Sequence, residues 1–504
     1  MYPWKTLLTP NRELPTPVYL QLANAIIQEI SAGRITAGQK LPGTRALADL
    51  IGLNRKTVII AFEELAAQGW VELQPSRGAF VSEKLPIDRY RPIGEPASEA
   101  VNEETAFDLE VDTSLPILEG RPQKSINFTD GTPDVRLAPM DSLYRHCRFF
   151  ARTRMTTRYL TYGSVQGELT LRSELATYLH KTRGLRCGPE NVFISRGSQM
   201  SIFLSFKALL KPGDVVVVGE TNYPVVDQVV EHLGGKLIRV PVDEDGIQVE
   251  KIREICHRES VRAVYLTPHH HFPTTVTLCA QRRIELLEYA HIHRFAIIED
   301  DYDYDFHYTS SPMLPMASLD RSGSVIYLGS FSKIIAPAVR IGYLVAPPNM
   351  IEALNRLRKI IDRQGDSVME RAVAEMLREG EVQRHIKKSL KVYRSRRDYL
   401  CEKLRTELGD WLSFTPPDGG MAVWANFAPE IDLRLVAERM KAHNIVLNLR
   451  DNWVEENNGI RLGFASIDEG EIDQIIHTLK EVIFSIYGHL RPAHVIDIRE
   501  ARGQ

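Results

Sequence analysis

Residues 329–340 read GSFSKIIAPAVR. A surface lysine ordinarily has polar neighbours on both sides, yet Lys333 follows Ser330 and Ser332 and runs into Ile334, Ile335, Ala336, Pro337 and Ala338. The segment lies between SVIYLGS (324–330) and IGYLVAP (341–347), two strand-like runs that are apolar on both faces. Working outward, the same pattern recurs in NVFIS (191–195), DVVVVGE (214–220), GKLIRVPV (235–242), AVYLTP (263–268) and AIIEDD (296–301), with helical stretches between them. Strands buried on both faces and separated by helices belong to a largely parallel sheet covered on each side, so the body of the chain is expected to be an α/β domain. The end of the chain is helical over 382–408, strand-like in MAVWANF (421–427) and GIRLGFA (459–465), and helical over 467–486. It reads as a smaller α+β lobe from about residue 365 to 504.

A chain of 504 residues exceeds one ordinary hydrophobic core, and 43% hydrophobic with 25% charged residues is the composition of globular protein. The formal net charge of -3 gives no basic field over the whole chain, so a nucleic-acid contact needs a local patch. Five cysteines, at 147, 187, 256, 279 and 401, lack the spacing of a zinc site and point to a reducing compartment. No apolar run reaches the roughly 18 residues of a membrane helix, and MYPWKTLLTP lacks the apolar centre of a signal peptide. A cytoplasmic protein with no membrane contact is expected. The histidines of TPHHHFP (267–273) invite a metal reading, but adjacent side chains diverge and no second ligand group has suitable spacing, so no metal is expected.

Residues 1–82 form a separate zone, divided from the α/β body (125–504) by 83–124, a stretch rich in Pro, Glu and small polar residues that reads as a linker. Within the zone, Thr44 is expected to cap a short helix through Ile51, Gly52 to supply a turn, and Asn54 to cap a second helix ending before Gly69. Val58, Ala61, Phe62 and Leu65 recur at helical spacing and face inward. Arg55, Lys56 and Thr57 then occupy the first turn, where a recognition helix meets base edges and phosphates. WVEL and AFV flank QPSRG, a hairpin with Arg77 at its tip. Residues 34–56 carry Arg34, Lys40, Arg45, Arg55 and Lys56 against Asp49 alone, a local positive face within an acidic chain.

The lysine of the opening segment suggests Schiff-base chemistry. An amine becomes a nucleophile when desolvation or a nearby cation lowers its pKa, and pyridoxal 5'-phosphate (PLP) is the usual aldehyde for such a lysine. PLP also needs phosphate donors, and Ser330, Ser332 and Arg340 are such a set. A second set is SRGSQ (195–199), where a strand gives way to Gly197, Ser198 and Gln199 at the start of a helix. The ring nitrogen needs a carboxylate, and FAIIEDDYDYDFHY (295–308) offers Glu299, Asp300 and Asp301 at a strand end. Asp300 is the choice, with its two neighbours left open and Tyr302 donating to the ring hydroxyl. Tyr223, at another strand end, supplies a flat partner for the ring.

Two resemblances rest on these residues. PVYLQLANAIIQEISAGRITAGQKLPGTRALADLIGLNRKTVIIAFEELAAQGWVELQPSRGAFV (17–81), with its GxxLPxxRxLA run, resembles the winged helix-turn-helix of the GntR family of bacterial regulators. That resemblance implies contacts to double-stranded DNA from Thr44, Arg45, Arg55, Lys56, Thr57, Ser76, Arg77 and Gly78. From INFTDGTPD (126–134) to IRLGFASI (460–467), through YGSVQGELTLRSELATYL, SRGSQ, TNYP, TPHHHFPTT, IIEDDYDYDF and GSFSKIIAPAVRIGYLV, the chain resembles fold-type I aminotransferases. The pairing of the two places it beside the MocR subgroup, in which a GntR-type head is fused to such a domain. The resemblance implies that Lys333 holds PLP as an internal aldimine, with Asp300 on the pyridine nitrogen, Tyr302 at the ring hydroxyl and Tyr223 stacked on the ring. It also implies Ser198, Gln199, Ser332 and Arg340 on the phosphate and Tyr159 reaching the phosphate of the other subunit in a head-to-tail homodimer. Arg461 matches the residue that grips a substrate carboxylate. His271 and Thr275 stand where the family commonly has Gln and Gly, which places His271 beside the effector.

The expected protein is thus a PLP-dependent transcriptional regulator that senses PLP or the aldimine of PLP with an amine or amino acid. The reading from another class is a working aminotransferase with an accessory DNA-binding head. Transaminase turnover separates them.

Overall fold

The computed structural model describes residues 14–86, 104–110, 125–128, 131–152, 156–309 and 313–489, with residues 4, 11 and 115. Most of the expected linker over 83–124 lies outside the described residues. The chain divides into two compact units, 1–112 and 113–504.

In the first unit, helices Val18–Ser31, Thr44–Ile51 and Arg55–Ala67 are followed by an antiparallel hairpin of Val71–Gln74 with Gly78–Val81. The turn between the second and third helices is made by Gly52, whose φ of 69° ends one helix in the left-handed region. Asn54 opens the next, its side chain accepting from Lys56 N at 2.9 Å. Thr44 does not cap as expected: Gly43 occupies that position and Thr44 is the first helical residue. Leu47, Val58, Ala61, Phe62, Leu65 and Trp70 close the core of this unit.

The second unit is built on a seven-stranded sheet. From one edge the order is Val192–Ser195, Gly342–Val345, Val325–Ser330, Ala296–Asp300, Val261–Leu266, Val215–Gly219, Lys236–Val240. Gly342–Val345 runs antiparallel to both neighbours, and the remaining pairs are parallel. The strands are apolar on both faces because both faces are covered. Val216 and Val218 pack into one buried cluster while Val215 and Val217 pack into another on the opposite side.

The smaller lobe contains the antiparallel strands Leu412–Phe414, Ala422–Phe427 and Gly459–Gly463 with helices Glu381–Leu408 and Glu469–Tyr487. Two of its limits differ from the sequence reading. Ile126–Phe128, far away in the chain, pairs with Ile445–Leu447, and Phe128 is buried in the lobe's core. The helix Ser367–Arg378, expected in the lobe, instead buries Ala372, Val373, Ala374, Met376 and Leu377 in the core of the large domain. The passage between the cores lies within the 28-residue helix Glu381–Leu408: Val382 and Ile386 belong to the large core, Tyr393, Leu400 and Leu404 to the small one. All five cysteines are free, and among the described residues no helix is long and apolar enough to cross a membrane.

Removing the Asn54 cap leaves backbone donors unmatched at the start of the third helix. Asn54→Ala is expected to cost about 1 kcal/mol and to lower the melting transition of this unit, followed by calorimetry, by about 4–8 °C.

Candidate functional site

The parallel strands ending at Ser195, Gly219, Leu266, Asp300 and Ser330 direct their carboxyl ends to one edge of the sheet. The segments leaving that edge carry most of the candidate residues, as expected of an open α/β sheet.

The puzzle of the opening segment resolves in the turn after Ser330. Phe331, Ile334, Ile335 and Ala336 are buried in the large-domain core, so the apolar flank is an anchor. Lys333 is half-buried, and its Nζ donates to the carbonyl of Gly131 at 2.8 Å.

The acids at the end of Ala296–Asp300 have distinct surroundings, because the pleat sends Glu299 to one side and Asp300 to the other. Glu299 accepts from the backbone N–H groups of Met316 and Ala317, each at 2.8 Å, and burial with the nearby charge of Asp301 pushes its pKa up to about 8. Asp301 accepts from the Tyr327 hydroxyl at 2.7 Å and lies 3.0 Å from His269. Burial works against its charge, but His269 and Arg183 hold it below the usual carboxylate range. Asp300 accepts from the Tyr265 hydroxyl at 2.8 Å through Oδ2, while Oδ1 is sealed from water without a hydrogen-bond partner. Burial pushes Asp300 up to about 7, against the opposing pull of Tyr265 and of the Lys333 charge.

Around them, the Tyr302 hydroxyl donates to the carbonyl of His270 at 3.0 Å and accepts from Arg461 Nη2 at 3.1 Å. In this arrangement its proton is turned away from the ring-hydroxyl role expected of it. Arg461 is buried, donates also to the carbonyl of Pro273 at 3.0 Å, and lies over the Phe272 ring at 5.0 Å. His271 Nδ1 meets Thr274 Oγ1 at 2.8 Å. Burial and then the charge of Arg461 push its pKa down to about 3, so the imidazole is neutral. Tyr223 precedes helix Pro224–His232, accepts from Gln199 Nε2 at 3.1 Å, and meets Phe272 edge-on at 5.3 Å.

A second group of donors lies at the start of helix Ser198–Leu209. No side chain caps this helix, so its first N–H groups are open to an anion. Gly197 precedes it at φ 85°, and a Cβ there would stand 3.0 Å from the guanidinium of Arg340, which itself donates to the carbonyl of Arg196 at 2.7 Å. Ser332 Oγ is buried without a hydrogen-bond partner, and Ser332 N donates to Ser330 Oγ at 3.1 Å. Tyr159 ends a short helix, packed edge-on to Phe150 at 5.7 Å. An amine, a bare carboxylate oxygen, a bare hydroxyl and an arginine beside an open helix start form a donor set suited to a flat cationic ring with an aldehyde and an anionic arm. The residues therefore fit PLP.

Sequence reasoning missed Tyr265 and Gly131. Tyr265 could have been noticed as the polar member of the otherwise apolar AVYL run, one position before the last strand residue, Leu266. Gly131 carries no signal, since a backbone carbonyl is available at every residue. Thr275, where the resemblance leads to the expectation that Gly is common, adopts φ 63°, a region unfavourable to a β-branched side chain.

In the first unit, Arg45, Arg55, Lys56, Ser76, Arg77 and Gly78 are exposed, while Thr44 and Thr57 are half-buried. Ser76 and Gly78 both have positive φ at the hairpin tip. Arg77 and Lys40 lie over the Phe80 ring at 5.9 and 5.7 Å, so Lys40 joins the wing from outside it.

Two family models match the chain: aminotransferase class I and II over residues 128–479, and bacterial regulatory proteins, gntR family, over residues 18–81. The probable rhizopine catabolism regulatory protein MocR of Rhizobium meliloti is 27% identical over 486 residues, covering 95% of this chain and 96% of that protein. The HTH-type pyridoxine biosynthesis transcriptional regulator PdxR of Corynebacterium glutamicum is 28% identical over 478 residues, covering 94% and 97%. Among solved structures, Pyrococcus horikoshii kynurenine aminotransferase in complex with PMP superposes with a TM-score of 0.67 at 28% identity, covering 72% of this chain and 91% of that one.

The raised pKa of Asp300 sets a pH dependence. A carboxyl whose folded pKa of about 7 lies above its ordinary 3.8 favours the fold while protonated, and that contribution disappears as pH rises through 7. In cofactor-free protein, Asp300→Asn is therefore expected to melt above wild type at pH 8, with the gap closing as pH falls toward about 4. Thermal melts across this range check it.

Proposed function

The chain belongs to the class I and II aminotransferase family and carries a gntR-family head, and from that premise we propose a transcriptional regulator that binds DNA through the head and senses PLP, or an amino compound joined to it, in the larger unit. The observation that carries this reading is Asp300 Oδ1, a carboxylate oxygen sealed from water without a partner and within reach of the Lys333 charge. Such an oxygen is costly unless a donor meets it. A protonated pyridine nitrogen is a fitting donor.

Bound PLP supplies an aldehyde that combines reversibly with amines and a ring that draws electrons. In this reading Lys333 holds the cofactor, Asp300 keeps the ring nitrogen protonated, and Tyr265 fixes the carboxylate by taking its other oxygen. Tyr223 covers the ring, and Ser198, Gln199, Ser332 and Arg340 hold the phosphate. Arg461 meets the carboxylate of the effector. His271, neutral at ordinary pH, contributes hydrogen bonding without charge. Tyr302 is poised to exchange its His270 contact for the ring hydroxyl.

A second copy of the chain belongs to the proposal. Leu160 and Tyr162, 72% and 77% exposed, and Ile360, 83% exposed, are too many large apolar side chains to leave in water. Their segments are tied together by Gly163 N donating to Gln364 Oε1 at 2.5 Å and by Arg363 over the Tyr162 ring at 4.0 Å. A homodimer covering this region brings Tyr159 to the partner's phosphate site. Two heads then read two half-sites, and the effector changes DNA affinity to the extent that it binds differently to conformations holding the heads differently.

A working aminotransferase is the second reading, favoured by the buried, intact Arg461. Turnover of an amino donor with a 2-oxo acid at roughly 1 to 1,000 per second would make it the primary function.

Purified protein with added PLP is expected to develop a visible absorption band that Lys333→Ala lacks and that shifts with the correct amine. Absence of the band in wild type while DNA binding persists would overturn the sensor. Tyr265→Phe is expected to retain the band but weaken PLP binding, measured by dialysis. In the head, Arg55→Ala and Arg77→Ala are each expected to weaken DNA binding, and each lost phosphate contact lowers the slope of log affinity against log salt by about 1. Anisotropy titrations at several salt concentrations read this out.

A further inference from the structure

Away from the PLP site, His146, Glu379 and Glu381 bring three side-chain donor atoms within 4.8 Å of one another. His146 lies on helix Met140–Arg152, whereas Glu379 and Glu381 flank Gly380 between helices Ser367–Arg378 and Glu381–Leu408. More than 230 residues of sequence separate the histidine from the two acids.

His146 is 8% exposed, and its Nε2 is sealed from water without a hydrogen-bond partner. That nitrogen stands 3.4 Å from Glu381 Oε2 and 3.8 Å from Glu379 Oε2, close to both but with hydrogen-bond geometry to neither. A hydrogen on that nitrogen has no acceptor in hydrogen-bonding geometry, whereas its lone pair is available to a metal ion. Donors at about 2.0–2.2 Å from a tetrahedral metal ion are about 3.3–3.6 Å apart; the 3.4 Å to Glu381 falls in that range, and the 3.8 Å to Glu379 lies just beyond it, on the exposed side chain. Glu381 is held for the purpose: Arg145 takes its Oε1, while Ser142 hydrogen-bonds to Oε2. Glu379, with its side chain 48% exposed, opens the remaining positions to water.

We propose that His146, Glu379 and Glu381 bind a divalent transition-metal ion of the zinc class, with water completing its coordination. One nitrogen and two carboxylates suit borderline metals better than calcium or magnesium, which take all-oxygen sets. Two carboxylates and the Arg145 charge leave a net -1 around a dication. The ion would fasten helix Met140–Arg152 to the first turn of Glu381–Leu408, the helix that passes from the large core to the small one.

The test uses the full chain, treated with chelator and titrated with Co2+, then with Zn2+ in competition. One cobalt per chain is expected, with visible d–d bands that zinc displaces, and zinc is expected to raise the melting temperature. His146→Ala should abolish the bands and the zinc-dependent stabilisation. Glu379→Gln, at an exposed position that leaves the fold undisturbed, should weaken binding at least about tenfold. It remains decisive if circular dichroism shows that the histidine variant fails to fold. No bands in wild type, or bands undiminished in the folded variants, would overturn the proposal and leave a plain ion pair between helices.

Discussion

A carboxyl group held out of water, with one oxygen matched by Tyr265 and the other bare, is the constraint around which the larger unit is organised. Three acids in a row at a strand end would repel one another if they shared one environment. The pleat and the turn after it separate them. Glu299 is spent on the N-terminus of the short helix Met316–Leu319, and Asp301 is spent on Tyr327 and His269. Asp301 Oδ1 also lacks a hydrogen bond but lies 3.0 Å from His269, whereas the unbonded oxygen of Asp300 belongs to a carboxyl that feels the Lys333 charge. Its raised pKa expresses the same fact, since burial disfavours the anion until a cation is placed opposite.

The neighbouring residues are similarly divided between building and binding. Phe331, Ile334 and Ile335 hold the lysine turn in the core so that Lys333 can stand at the sheet edge. Arg461 and Tyr302 hold one another beside the aromatic group of Phe272, Trp424 and Trp453, keeping a buried guanidinium hydrogen-bonded in the absence of a carboxylate. The head has its own core and exposes its basic residues at one helix start and one hairpin tip. The two units thus have separate cores, so in the proposed regulator any coupling between them comes from a change in conformational equilibrium.

Much of this was legible in the chain. The large-domain strands could be read because burial on both faces demands continuous apolar runs, and their ends carry Asp300, Lys333 and the SRGSQ turn. Asn54 could be read as a cap because its side chain acts on its own backbone. Thr44 misled because Gly43, with no side chain to offer, can precede a helix equally well. The lobe boundary misled for another reason: helix Ser367–Arg378 has the same amphipathic spacing whichever core receives it, and the pairing of Ile126–Phe128 with Ile445–Leu447 is not encoded in either run alone.

By itself the sequence determined the order of elements, the separate head and body, and the residue types at the strand ends, because local periodicity and turn chemistry act over a few residues. Tertiary structure decided which of three adjacent acids keeps an unbonded oxygen beside the lysine charge, that Tyr265 braces it, that the Tyr302 hydroxyl donates its hydrogen bond to the His270 backbone carbonyl, and that His146 meets two glutamates far along the chain. Those outcomes depend on burial and on distances between segments remote in sequence. Such quantities come into existence only when the chain has packed.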